Sequence, residues 1–270
     1  MKNPFDNPVY RLDLRSRVRE KRLWALALFF VSVPAVLWAL VLPMFLRHPF
    51  SGRTFPDCAK ALSAVAVFSH GALLVLLSAL GAAQRISQER ERRTLAALVN
   101  SPIPARSVAL GKLLGAWTFS AWLACLSLPF LAAATLWGGF RAPTLFAAWL
   151  LNLAAAFAAA SLALGLSGLF GRSLSAYLAT GASLFLWCAA LPVTGILAAA
   201  LRDADRGGSD AAGLVGVLCW FHVPLVPQGM IFFESAEPIA TAVATALVVW
   251  TTISAAGFAL AVRGLGREVC

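Results

Sequence analysis

Six long apolar runs, separated by charged connections, constrain this chain more than any other feature. They are Leu23–Leu46, Ala61–Ala83, Leu113–Trp137, Thr144–Phe170, Leu174–Leu201 and Ile239–Val262. At about 1.5 Å of rise per residue, each is long enough to cross roughly 30 Å of hydrocarbon as a helix. A soluble domain of 270 residues would not cover its surface with 13% charged residues while 60% are hydrophobic. Alternating ten-residue segments are absent, which excludes a transmembrane barrel. The predicted fold class is an all-α polytopic membrane protein, a single transmembrane domain over residues 1–270 with six transmembrane helices.

The charges orient it. With residues 1–22 placed inside, 16 of the 22 Lys and Arg fall in inner segments, while the 12 acids divide equally. The whole net charge of +10 is then on the inner face, as the positive-inside rule requires. In a soluble chain this charge would suggest nucleic acid; here it sets topology, and no nucleic-acid partner is expected. Both termini are expected in the cytosol of a prokaryotic cell, with the spans in its inner membrane. The basic segment before the first run has no short apolar core with a cleavage site, so that run is expected to stay as a span.

Residues 1–22 read as a helix lying on the membrane. Pro8 suits its start. Tyr10, Leu14 and Val18 recur at i+4, while Arg11, Arg15 and Arg19 occupy other faces. The outer connection, residues 202–238, opens polar and then turns apolar around Pro224 and Pro227. Two prolines so close break a continuous helix, so a re-entrant hairpin in the outer leaflet is expected. Five cysteines (Cys58, Cys125, Cys188, Cys219, Cys270) give no metal spacing. Of these, Cys58 and Cys219 are expected outside, and their pairing stays open.

The inner connection, residues 84–112, carries most chemistry. Gln88–Asn100 reads as a short helix. Gln88, Glu89, Arg90, Glu91, Arg92 and Arg93 supply its charged half, and Thr94, Leu95, Leu98 and Val99 an apolar edge. Pro102 stops it. Pro104 can open the next helix, which runs past Arg106 and Lys112 into the third span. Mixed charge beside a small apolar edge suits docking to a protein better than to lipid.

These residues resemble the type-2 ABC permeases, membrane subunits of drug, polysaccharide and lipid exporters. The match lies in Glu91-Arg92, Thr94-Leu95, Leu98-Val99, Pro102, Arg106 and Gly111-Lys112, preceded by an arm NPVYRLDLRSRVREKR like the start of such a permease. Arg93 departs from the family's usual glycine, and Val99 from its usual leucine. The resemblance implies that residues 1–22 hold a connecting helix and Ser87–Asn100 a coupling helix. That helix would seat in a separate ATP-binding subunit. Two permease chains, alike or different, and two ATPase chains would form the transporter, with ATP and Mg bound by the partner and no cofactor in this chain.

The sequence itself carries no phosphate loop. The string Gly165 to Ser173 has the wrong spacing and no Lys, so its glycines are read as allowing close packing and a tight inner turn. Gly165-Leu-Ser167-Gly168 also resembles the motif of rhomboid-type intramembrane serine proteases. Ser167 is expected at the inner surface, and His48 and His222 outside. His70 lies midway along the second span, so no Ser–His dyad is expected. His70 is instead read as hydrogen-bonded between helices.

No Asp, Glu, Lys or Arg lies inside any of the six runs. Ion-coupled carriers keep such groups there, so an apolar and aromatic pathway for an amphipathic or lipid-like cargo is expected. Trp38, Phe68, His70, Trp122, Phe130 and Trp250 are its candidate lining residues, with packing roles as the alternative. The expected function is the permease subunit of an ABC exporter, and not an enzyme itself. A non-transporting scaffold driven by the same ATPase is the alternative.

Overall fold

The computed structural model describes residues 7–18, 21–46, 55–94, 103–137, 140–187 and 236–266. Among these, regular structure is entirely helical. The elements are α1 (Pro8–Val18), α2 (Lys21–Leu46), α3 (Phe55–Ala83), α4 (Ser87–Glu91), α5 (Ala105–Leu126), α6 (Leu128–Leu136), α7 (Ala142–Leu169), α8 (residues 173–187) and α9 (Ala236–Gly266). Five stretches of helix among the described residues are long and apolar enough to cross a membrane. The chain is therefore a multi-pass membrane protein. Of the expected fifth span, Leu174–Leu201, residues beyond 187 lie outside the described residues, as does nearly all of the expected re-entrant hairpin. The last helix starts at Ala236, three residues before its expected first residue.

α7 is the centre of the bundle, packed chiefly against α3 and α9. Its run of buried alanines, from Ala155 through Ala163, lets neighbours approach closely. The approach to α9 is closest at its glycines. A Cβ on Gly165 would come within 2.6 Å of the Gly257 carbonyl oxygen, and one on Gly168 within 3.2 Å of the Ala261 Cα. The close packing expected of these glycines is thus present at Gly165 and Gly168, with α9 as the partner, while Gly171 stands in open space.

Several hydroxyl groups within the spans bond to their own helix. Ser63 donates to the Ala59 carbonyl at 2.7 Å, and Ser120 to the Ala116 carbonyl at 3.0 Å. Such bonds remove an unpaired polar group from a medium without water. Asn152 instead crosses between helices, donating to the Val67 carbonyl at 3.1 Å.

Two expectations need correction. The third span is not one helix. It breaks at Ser127, and α6 starts with Pro129 at its first turn. Proline has no N–H to continue the ladder. The Ala124 carbonyl, at the break, accepts from the Ser127 N–H at 3.1 Å, the Ser127 hydroxyl at 2.7 Å and the Trp149 indole at 2.9 Å. Nor is Gln88–Asn100 a continuous helix. α4 ends at Glu91, Arg92–Arg93 form a turn, and residues 95–102 lie outside the described residues.

Candidate functional site at the charged end of the bundle

The turn after α3 and the short α4 form a junction bonded directly to five other helices. Arg85 is 6% exposed and Lys112, on α5, is 3% exposed. A buried charge is tolerable only when paired and hydrogen-bonded. Here the two cations hold each other's backbones. Arg85 Nη1 donates to the Lys112 carbonyl at 2.9 Å, and Lys112 Nζ donates to the Arg85 carbonyl at 2.9 Å. Each also has a carboxylate: Asp13 of α1 lies 2.5 Å from Arg85, and Glu89 of α4 lies 2.6 Å from Lys112. Two cations and two anions therefore close a neutral network that ties α1, α3, α4 and α5 together.

α1 is held to α5 by more than this pair. Asn7 accepts from the Val9 N–H at 3.0 Å, capping the helix start, while its amide donates to the Ser107 carbonyl at 2.6 Å. Tyr10 shares a hydrogen bond of 3.1 Å with Thr118. Gly111 allows the contact, because a Cβ there would meet Val9 at 2.9 Å. Val9 is buried, Tyr10 and Leu14 are half-buried, and Arg11 and Arg15 are exposed. The Val18 side chain and Arg19 lie outside the described residues.

The start of α4 is capped from another helix. Ser167 Oγ, near the end of α7, accepts from the Ile86 N–H at 3.0 Å and the Ser87 N–H at 3.1 Å. These are the donors that a helix start leaves without partners. Ser167 thus has a structural role. Its partner Ile86 lies 16 residues from His70, about 20 Å along the helix, so no Ser167–His70 dyad exists. His70 Nδ1 bonds the Ala66 carbonyl of its own helix at 2.8 Å, rather than a group on another helix.

Arg90 and Glu91 clamp the turn between α7 and α8. Arg90 donates to the Phe170 carbonyl at 2.7 Å and the Gly168 carbonyl at 3.3 Å, placing a cation at the C-terminus of α7. It also reaches the Gly264 carbonyl in the last turn of α9, at 3.5 Å. Glu91 accepts from the Ser173 N–H at 2.7 Å and the Ser173 hydroxyl at 2.6 Å, placing an anion at the N-terminus of α8. The Ser173 hydroxyl, then its backbone N–H, hold the Glu91 carboxyl below its usual 4.5, with help from the Arg172 charge. Glu91 lies beyond the turn that ends α3 and is exposed.

α4 ends in a Schellman motif. The Arg93 N–H bonds the Arg90 carbonyl at 3.1 Å, and the Thr94 N–H bonds the Glu89 carbonyl at 3.0 Å. This closure puts Arg93 at φ 59°, the left-handed conformation that favours glycine.

Of the residues expected to face a partner, Glu89, Arg90 and Glu91 are thus engaged within their own chain. Arg92, Arg93, Thr94 and Arg106 are exposed, and Gln88 is half-buried. Leu95, Leu98 and Pro102 lie outside the described residues. The sequence reading did not single out Asp13, Ser167 or Ser173 as partners of this segment; it used Arg85 only for orientation, and Lys112 for orientation and in the family match. Asp13 had a signal: it is the single acid in α1.

The expected pathway aromatics form no single lining. Trp38 packs edge-on against Phe130 at 5.6 Å, and its indole donates to the Leu62 carbonyl at 3.0 Å. His70 lies between Phe30 and Phe130 at 5.2 and 5.0 Å. Trp122 meets Trp24 at 6.1 Å, and Trp250 is 2% exposed in the core around α7. Phe68 is half-buried.

The model of one protein family, described as ABC-2 family transporter protein, matches residues 8–256. The curated proteins include no match to this chain.

Proposed function

The chain belongs to the ABC-2 transporter family, and we propose that it is the permease subunit of an exporter driven by a separate ATP-binding subunit. That partner would hold ATP and Mg, and two copies of it would face a dimer of permease chains. The charge asymmetry of the sequence supports a cytosolic position for residues 84–112 and for both termini, in the inner membrane of a prokaryote.

One observation carries the reading: the junction of residues 84–94 is bonded directly to α1, α5, α7, α8 and α9. A force applied to α4 there reaches most of the bundle through hydrogen bonds and paired charges rather than through a flexible loop. Glu89, Arg90 and Glu91 transmit it inward. Arg93, Thr94 and Arg106 remain exposed and present the surface to the partner. An amphipathic or lipid-like cargo suits spans without ionisable groups.

Reconstitution tests this. Vesicles holding the chain with its ATPase should hydrolyse ATP and move an amphipathic cargo, and Glu91→Gln should lower both, by about tenfold if the clamp is worth one strong charged hydrogen bond. Hydrolysis without movement of cargo of any class would overturn the export reading. Full turnover by Glu91→Gln would overturn the role of the clamp.

A further inference from the structure

A cleft of about 800 Å3 opens between α1 and α2 on one side and α3, α4 and α5 on the other. Its two ends differ chemically. Gln84, Gln88 and Arg92 line the end beside the charged network, and Leu26, Leu77 and Phe119 line the end within the spans. Leu77 precedes Gln84 by seven residues, about 10 Å along the helix. The cleft therefore runs from the membrane surface into the hydrocarbon. Its α2 wall is largely uncovered within this chain, with Leu26, Leu28 and Phe29 exposed.

Charge narrows the occupant. Asp13 and Glu89 also line the cleft, with Arg85 and Lys112 beside them. Those four cancel in pairs, so among the described lining residues exposed Arg92 leaves one positive charge in excess. Glu89 adds a second constraint. Its Oε1 is bonded to Lys112, but its Oε2 is buried and has no hydrogen-bond partner among the described residues. A buried acceptor without a donor is costly, and a donor on a bound molecule would satisfy it.

We propose that this cleft binds an anionic phospholipid of the bilayer whose headgroup carries hydroxyls. The phosphate pairs with Arg92 and the amide of Gln88. A headgroup hydroxyl donates to Glu89 Oε2, and an acyl chain lies against Leu26, Leu77 and Phe119. The positive excess selects an anion, the orphaned acceptor selects a hydroxylated head over choline, and the apolar half selects a lipid over free phosphate. A lipid held there spans from α2 to α4, so the position of α4 depends on the bilayer's composition. The site depends on the chain lying in a membrane and not on its ATPase partner.

The test uses the full chain without a partner, equilibrated in equal phosphatidylglycerol and phosphatidylcholine, with co-purifying lipid counted by native mass spectrometry. Wild type should retain phosphatidylglycerol over phosphatidylcholine by about tenfold. Arg92→Gln and Leu26→Trp should each lose that preference, and Arg141→Gln, at the opposite end of α7, should keep it. Should Leu26→Trp fail to fold, Arg92→Gln alters an exposed side chain and decides alone. Equal retention of the two lipids by wild type, or an undiminished preference in Arg92→Gln, would overturn the site. Displacement of the lipid by millimolar glycerol phosphate would overturn it too, in favour of a soluble phosphate ligand.

Discussion

Arg93 shows how a residue can be misread when only its charge is considered. In the sequence it extends a run of charged residues and stands where related permeases carry glycine. In the structure its backbone sits at φ 59° and closes the Schellman motif of α4. Glycine reaches that conformation without steric cost, whereas an L-residue pays about 1 kcal/mol. The departure from glycine therefore weakens the end of α4 and removes the signal by which a helix stop is usually read. Arg93→Gly should slow hydrogen exchange at the Thr94 amide by about fivefold, the factor for about 1 kcal/mol. Arg93→Val, a β-branched residue at positive φ, should speed it. Unchanged exchange in both variants would show that the turn is not held by this conformation.

Helices were legible where burial in lipid alone determines them. Five of the six apolar runs fall on helices long and apolar enough to cross a membrane, because an uninterrupted run of that length must be helical in hydrocarbon, and the run from Leu174 is described only to residue 187. The break at Ser127 was not legible, since apolar residues continue across it and only the pairing of Ala124 with Trp149 reveals how it is satisfied. The partners of α4 were equally hidden. Arg90 and Ser173 are far apart in sequence, and no periodicity links Glu91 to a helix start 82 residues later. The glycine string was read correctly for packing, although its partner α9 was not. That packing predicts a difference between two glycines a turn or two apart. Gly165→Leu would force a side chain against the α9 backbone, and should lower stability in thermal unfolding by about 3 kcal/mol. Gly171→Ala meets nothing within 4 Å and should stay within about 0.5 kcal/mol. Equal shifts would contradict the close α7–α9 contact.

Across the whole molecule, charge is segregated in two ways that reinforce one another. The sequence concentrates its positive excess in segments that alternate with the spans, which orients the bundle. Folding then gathers charges from two of those segments into one place: Asp13, Arg85, Glu89, Arg90, Glu91 and Lys112 all engage at the same end. The first pattern could be read without a structure, because it depends only on counting. The second could not, because it depends on which helix ends meet. Together they make that end the one at which an ATP-binding partner would act, with the exposed side chains outermost and the bonded ones behind. Photo-crosslinking within the intact membrane complex tests this most directly, with benzoylphenylalanine replacing Arg93, Arg106 or, at the other end of the bundle, Arg141. The account predicts that positions 93 and 106 capture the ATP-binding subunit and that position 141 does not. Capture from position 141, or none from 93 and 106, would contradict it.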